Sequence, residues 1–170
     1  MSLKNNSKYI WLVLVGILIL ANMVLITSFS LESREDSGNR SHSVTEQVVI
    51  IIQPEYPQMS PDEQATTIEK FHLPIRKLAH FTEFCLLGML TATFVHILGK
   101  GRYWLWWIIP SGICLLYAIF DEVLQIYTSR GSSPKDVGID FLGSLTGILL
   151  VHLIGRIYRK YRHRRKAKNT

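Results

Sequence analysis

The sequence predicts an all-α, polytopic membrane protein with four transmembrane helices and short amphipathic helices in the first extracytoplasmic segment. Three observations carry that prediction. Of 170 residues, 48% are hydrophobic and only 19% charged, and the mean hydropathy is +0.17. The apolar residues gather in blocks that are apolar all round, whereas a soluble helix shows a stripe. Each of four such blocks reaches about 20 residues, the length that crosses a hydrocarbon core.

The first block, residues 9–29, follows a short polar start (residues 1–8) that holds Lys4 and Lys8. A cleaved signal peptide competes with a membrane anchor here. The run is longer than an ordinary signal h-region and no A-x-A-like site follows, so an uncleaved anchor is expected. Residues 30–76 form the one substantial extramembrane segment. Its opening, rich in Ser, Asp, Glu and Gly, reads as loop. Ser43 and Glu46 have capping-box spacing, which predicts an amphipathic helix with Val44, Val48, Ile51 and Ile52 on one face. Ser60, with Pro61 at the first helical position and Asp62 and Glu63 in the first turn, predicts a second helix. That helix should reach about Phe71 and stop before Pro74. Both should lie on the membrane surface or over the bundle mouth, without a core of their own.

The remaining blocks are residues 79–98, 103–121 and 139–157. The second opens on an aromatic cluster, Tyr103-Trp104-Leu105-Trp106-Trp107, of the kind that gathers at headgroup level. Residues 9–157 thus make one membrane domain, and 158–170 a basic tail. Cys85 and Cys114 both fall inside apolar blocks, which argues for packing residues and against a disulfide framework. The net charge of +6 comes largely from the tail, where Arg156 to Lys168 holds eight Lys or Arg, whereas residues 30–76 hold eight of the thirteen carboxylates. Positive-inside topology puts both termini in the cytoplasm and residues 30–76 and 125–137 outside. The tail is topogenic and suited to anionic lipid, and nucleic acid is not an expected partner.

With that topology, three sets of polar residues reach one depth on the extracytoplasmic side: Lys77, His80 and Glu83; Asp121, Glu122 and Gln125; and Asp136 and Asp140. Arg130 stands in the loop between the last two sets. Spacings of three and four put each set on one helix face, and lipid offers those faces no partner, so they should turn inward. A structural lock in which Lys77, Arg130 and Lys135 pair with the carboxylates is one reading. A binding site for an anionic headgroup, sugar phosphate or peptide is another, with the Arg130 guanidinium suited to two parallel bonds. A third is an N/O metal or hydrolytic site from His80, Glu83, Asp121 and Glu122, for which a single H-x-x-E is thin support. No cofactor or resident metal is expected, and no Ser or Cys is placed as a nucleophile. Gly143-x-x-x-Gly147 and Gly88-x-x-x-Ala92 predict close helix packing. His96 and His152 lie towards the other end and read as packing residues.

The same residues carry a family resemblance. R-K-L-A-H-F-x-E-F-x-x-L-G at 76–88, F-D-E-x-x-Q at 120–125, S-R-G at 129–131 and D-V-x-x-D-x-x-G-x-x-x-G at 136–147 resemble the VanZ-like membrane proteins of bacteria. A serine-rich stretch at 28–41 is also similar to the family's outer segment. Phe84 stands where Tyr is common, and Tyr127-Thr128-Ser129 where a hydrophobic-Pro-Gly turn is usual. The resemblance implies that Lys77, His80, Glu83, Asp121, Glu122, Gln125, Arg130, Asp136 and Asp140 are the characteristic polar residues. It further implies the outer face of a bacterial cytoplasmic membrane, a lipid-linked cell-wall precursor or anionic lipid headgroup as partner, and a link to teicoplanin resistance. It assigns no catalytic residues. A binder, an enzyme acting on a lipid or wall precursor, and a scaffold for envelope assembly all remain open at this point.

Overall fold

The computed structural model describes residues 3–99, 102–128 and 133–167. Its elements are α1 (Leu3–Ser30), α2 (Arg34–Ile52), a single 3-10 turn (Tyr56–Gln58), α3 (Pro61–Leu98), α4 (Leu105–Tyr127) and α5 (Pro134–Ala167). Helices α1, α3, α4 and α5 are each long and apolar enough to cross a membrane. Many large apolar side chains face outward from these helices: Ile10, Leu20, Val24, Leu86, Leu116, Leu149 and Ile154 are all exposed. On a soluble protein so many exposed large side chains would be an aggregation surface, and here they suit lipid.

The ends of the elements follow local chemistry. Ser33 caps α2, its Oγ accepting the Asp36 N–H at 3.1 Å, with Glu35 and Asp36 in the first turn complementing the helix dipole. The expected loop over residues 30–43 is therefore largely helix. This earlier Ser-x-x-Asp signal prevails over Ser43, which lies mid-helix and donates to the Asn39 carbonyl. The helix start expected at Ser60 is present, and Ser60 and Glu63 form a capping box there. Gly99 closes that helix in the left-handed conformation, φ 64°, with its N–H on the Val95 carbonyl, a geometry that favours glycine.

Two further expectations are corrected. The helix that begins at Pro61 does not stop before Pro74: it runs unbroken for 38 residues and carries Pro74 inside. A proline removes one N–H and crowds one carbonyl, a local penalty that a long helix packed on several neighbours absorbs. The outer segment also has a small core of its own. Val49 of α2, Tyr56 of the 3-10 turn and Ile68 of α3 are buried together, with Met59 and Phe71 against them. The apolar face of α2 is thus spent partly on the outer half of α3.

Helix α3 is the hub, in contact with α1, α2, α4 and α5, while α4 also packs on α1 and α5. The α3–α5 seam is the closest in the molecule. A Cβ on Gly88 would collide with the Ser144 backbone, one on Gly143 with Phe81, and one on Gly147 with Cys85 and Met89. These small residues let the two backbones touch, as dispersion-driven packing in lipid favours. The glycine motif is thereby used within the chain. The main core of Ile26, Phe84, Leu87, Cys114, Tyr117 and Ala118 lies about one turn from Ser30, His80 and Asp121 along the respective helices. The apolar core therefore ends where the polar cluster begins.

Candidate functional site

The cluster assembles at the junction of all four spans. Asp121 of α4 is fully buried. Ser30, the last residue of α1, donates to its Oδ1 at 2.6 Å, and Gln125, one turn on, donates to its Oδ2 at 2.8 Å. Both oxygens of one carboxylate are thus held in orientation. Asp140 of α5 is 2% exposed and faces His80 of α3, whose Nδ1 lies 4.0 Å from its Oδ1. Glu122 accepts the Ser133 backbone N–H, tying the end of α4 to the start of α5. Thr128 Oγ1 donates to the Ser30 carbonyl at 3.2 Å. Burying Ser30, Asp121 and Gln125 together is tolerable because they supply one another's hydrogen bonds.

Lys77 and Asp136 form the outer rim, Nζ to Oδ1 2.8 Å. Both are substantially exposed, so the pair positions more than it stabilises. Lys135 is exposed.

A cavity of about 460 Å³ opens over this junction, lined by Arg34, His72, Arg76, Lys77, His80, Gln125, Asp136 and Asp140 among others. A second, of about 230 Å³, is lined by Arg40, Arg76, His80 and Glu83 among others. Arg76 and His80 belong to both, and α2 contributes to each wall. The helix therefore lies across the mouth with a cavity on either side. The cavity floor is acidic and its upper wall cationic. His72 is on the outer half of α3, where burial first, and then His42 and Arg76 nearby, hold its imidazole below the ordinary value.

The structure brings together most of the residues picked from sequence. Lys77, His80, Gln125, Asp136 and Asp140 line the larger cavity, and Asp121 and Glu122 are buried in the same cluster. Glu83 goes instead to the smaller cavity. Arg130 lies outside the described residues. Ser30, Arg34 and His72 were missed, and Arg76 entered only as the first residue of the 76–88 motif. Ser30 and Arg34 reach the site through the turn into α2, and no spacing within one helix could have shown that. His72 sits three and four residues before Ile75 and Arg76, in a stretch read as the end of a separate helix. A continuous helical period through Pro74 was the signal that would have placed it.

At the opposite end of the bundle, His96 Nε2 lies 3.2 Å from His152 Nδ1, and Trp107 stacks on His152 with ring centroids 4.0 Å apart. Arg156 donates to the Tyr103 hydroxyl at 2.9 Å, and Lys8 to the Leu98 carbonyl at 2.8 Å. The basic residues and aromatic belt thus share one end of the molecule, as the packing reading of the two histidines requires.

A family model described as VanZ/LLP1 matches residues 14–155. The match takes in the whole polar cluster, all of α3 and α4, and most of the first and last spans. No curated protein and no solved structure matches the chain.

Proposed function

The chain belongs to the VanZ/LLP1 family of membrane proteins, and on that footing we propose that it binds an anionic lipid-linked envelope component, or a glycopeptide acting on one, at the outer face of the bacterial cytoplasmic membrane. Both termini lie in the cytoplasm, where the basic tail and the Lys8 end of α1 belong under the positive-inside rule. The single observation that carries the reading is the larger cavity. It combines Arg34, Arg76 and Lys77 with His72 and His80 in a space of about 460 Å³, the size of a small-ligand site.

Guanidinium groups bind phosphate and carboxylate through paired parallel hydrogen bonds. At the edge of a bilayer, where water is scarce, such bonds gain strength. The carboxylates below supply acceptors for sugar or peptide donors, and the apolar outer faces hold the chain of a lipid ligand in the bilayer. A contribution to teicoplanin or other glycopeptide resistance follows if the bound component is the one the drug engages.

The test is direct. Binding of a polyprenyl phosphate to the protein in nanodiscs is measured by native mass spectrometry. Replacing Arg34 and Arg76 by Gln removes two charge-assisted contacts, each worth about 1.5–3 kcal/mol, so affinity should fall at least about tenfold per contact. Unchanged affinity in the double variant, with the protein folded and inserted, removes the basis of the reading. A deletion strain complemented by the same variant should match the uncomplemented strain in teicoplanin sensitivity.

A further inference from the structure

His80, Asp121 and Asp140 come from three different helices, yet each offers a ligand atom within 4.8 Å of the others. This set differs from the one the sequence allowed for: Asp140 takes the place of Glu83 and Glu122. From this juxtaposition we propose that the floor of the larger cavity is a binding site for a divalent transition ion, Zn2+ or Mn2+, held by His80, Asp121 and Asp140.

Three features support the assignment independently of the carboxylate count. One is the donor set itself. An imidazole nitrogen with two carboxylate oxygens suits a borderline divalent metal and leaves coordination positions open. Bonds of about 2.0–2.2 Å allow ligand atoms to stand up to about 4 Å apart, so modest side-chain rotations close the set.

The second is the state of Asp140. It is 98% buried by area, being 2% exposed, and it lines the cavity. Among the described residues no hydrogen bond reaches its carboxylate, and His80 stops at 4.0 Å. A buried carboxylate aimed into a cavity without a hydrogen bond is costly unless something else occupies its oxygens.

The third is the support behind Asp121. Ser30 and Gln125 each donate to one of its oxygens, so both oxygens are held in orientation. Outer hydrogen bonds of this kind fix a ligand carboxylate in place and are a general feature of metal sites. Lys77 and Arg76 line the same cavity as His80 and Asp140, so an anion bound there would lie beside the metal. The metal site itself does not depend on that anion.

The experiment uses the full chain in detergent, purified through a tag free of histidine and stripped with chelator. It is then loaded with Zn2+ or Mn2+ alone, desalted, and assayed for metal per protein. The expected result is about one equivalent in the wild type. Asp140→Asn and His80→Gln should each weaken binding by tenfold or more, while His96→Gln, at the far end of the bundle, should leave it unchanged. Added metal should raise the melting temperature of the wild type and not that of Asp140→Asn. If Asp140→Asn yields no folded protein, His80→Gln carries the same comparison. Folded wild type that retains no metal overturns the proposal, and so does equal retention by both cluster variants. Because no lipid or phosphate is present, failure here leaves the anion-binding reading standing, and failure of that reading leaves this one.

Discussion

The α3–α5 seam makes a quantitative prediction from three glycines and their controls. Replacing Gly147 by Ala puts a methyl group closer than 3.0 Å to the Cys85 carbonyl and the Met89 nitrogen. Both obstacles are backbone, so no side chain can rotate away and the helices must part, by something near 1 Å. Overpacking of this kind costs about 1–3 kcal/mol, and the rigid neighbours argue for the upper end. Alanine recovers about 0.8–1 kcal/mol through helix propensity, leaving a net loss of about 2 kcal/mol. Gly138 and Gly155 lie on the same helix with nothing within 4 Å of a built Cβ. There the propensity gain stands alone, and Gly138→Ala or Gly155→Ala should be neutral or slightly stabilising. Thermal unfolding in one detergent, followed by the near-ultraviolet signal of the Trp106–Trp107 end, ranks the three variants. Gly147→Ala as stable as Gly138→Ala would refute the close-contact account of the seam. The separation should also widen the His80–Asp140 gap, so Gly147→Ala should lose metal affinity while remaining folded.

Four other outcomes follow. Ser30→Ala withdraws a hydrogen bond that holds the buried Asp121 carboxylate and should cost about 1–3 kcal/mol, read from the same melts. Asp136→Asn breaks a pair whose side chains are 46% and 34% exposed, so the loss should stay below about 1 kcal/mol. Ser60→Ala removes the cap of α3 and should cost about 1 kcal/mol; amide exchange should rise over residues 60–64 and not within the spans. In a background with Cys85→Ala and Cys114→Ala, a membrane-impermeant thiol reagent applied to whole cells should label Ser41→Cys but not Lys160→Cys. The reverse labelling would invert the proposed topology.

Sequence patterning reached the spans because the signal there is compositional: an all-round apolar block of about 20 residues has few other uses. It also grouped Asp121, Glu122, Gln125, Asp136 and Asp140, since polar groups on apolar helices must face inward together. It failed where the outcome turned on competition. Two capping signals, at Ser33 and Ser43, lay within one turn-rich stretch, and the pattern alone could not rank them. Pro74 read as a stop because a local rule was applied without the neighbours against which α3 stays helical through it. The small core of Val49, Tyr56 and Ile68 was invisible because its members come from three elements and meet only in the fold. Ser30 was missed for a related reason: its partner, Asp121, is 91 residues away, and only the fold relates them.

The polar junction takes Ser30 from the first span, His80 from the second, Asp121 from the third and Asp140 from the last. No partial set of spans can build it. While the chain is being made, Asp121 and Glu122 enter the membrane region before α5 exists, and they must wait at its wet edge. The glycine seam then draws α5 against α3 and carries Asp140 to His80 as the helices close. Insertion of the final span and completion of the site are therefore one event. A molecule halted before that step is inserted but lacks the α5 wall of the larger cavity, which makes the order of synthesis part of how the site comes to exist.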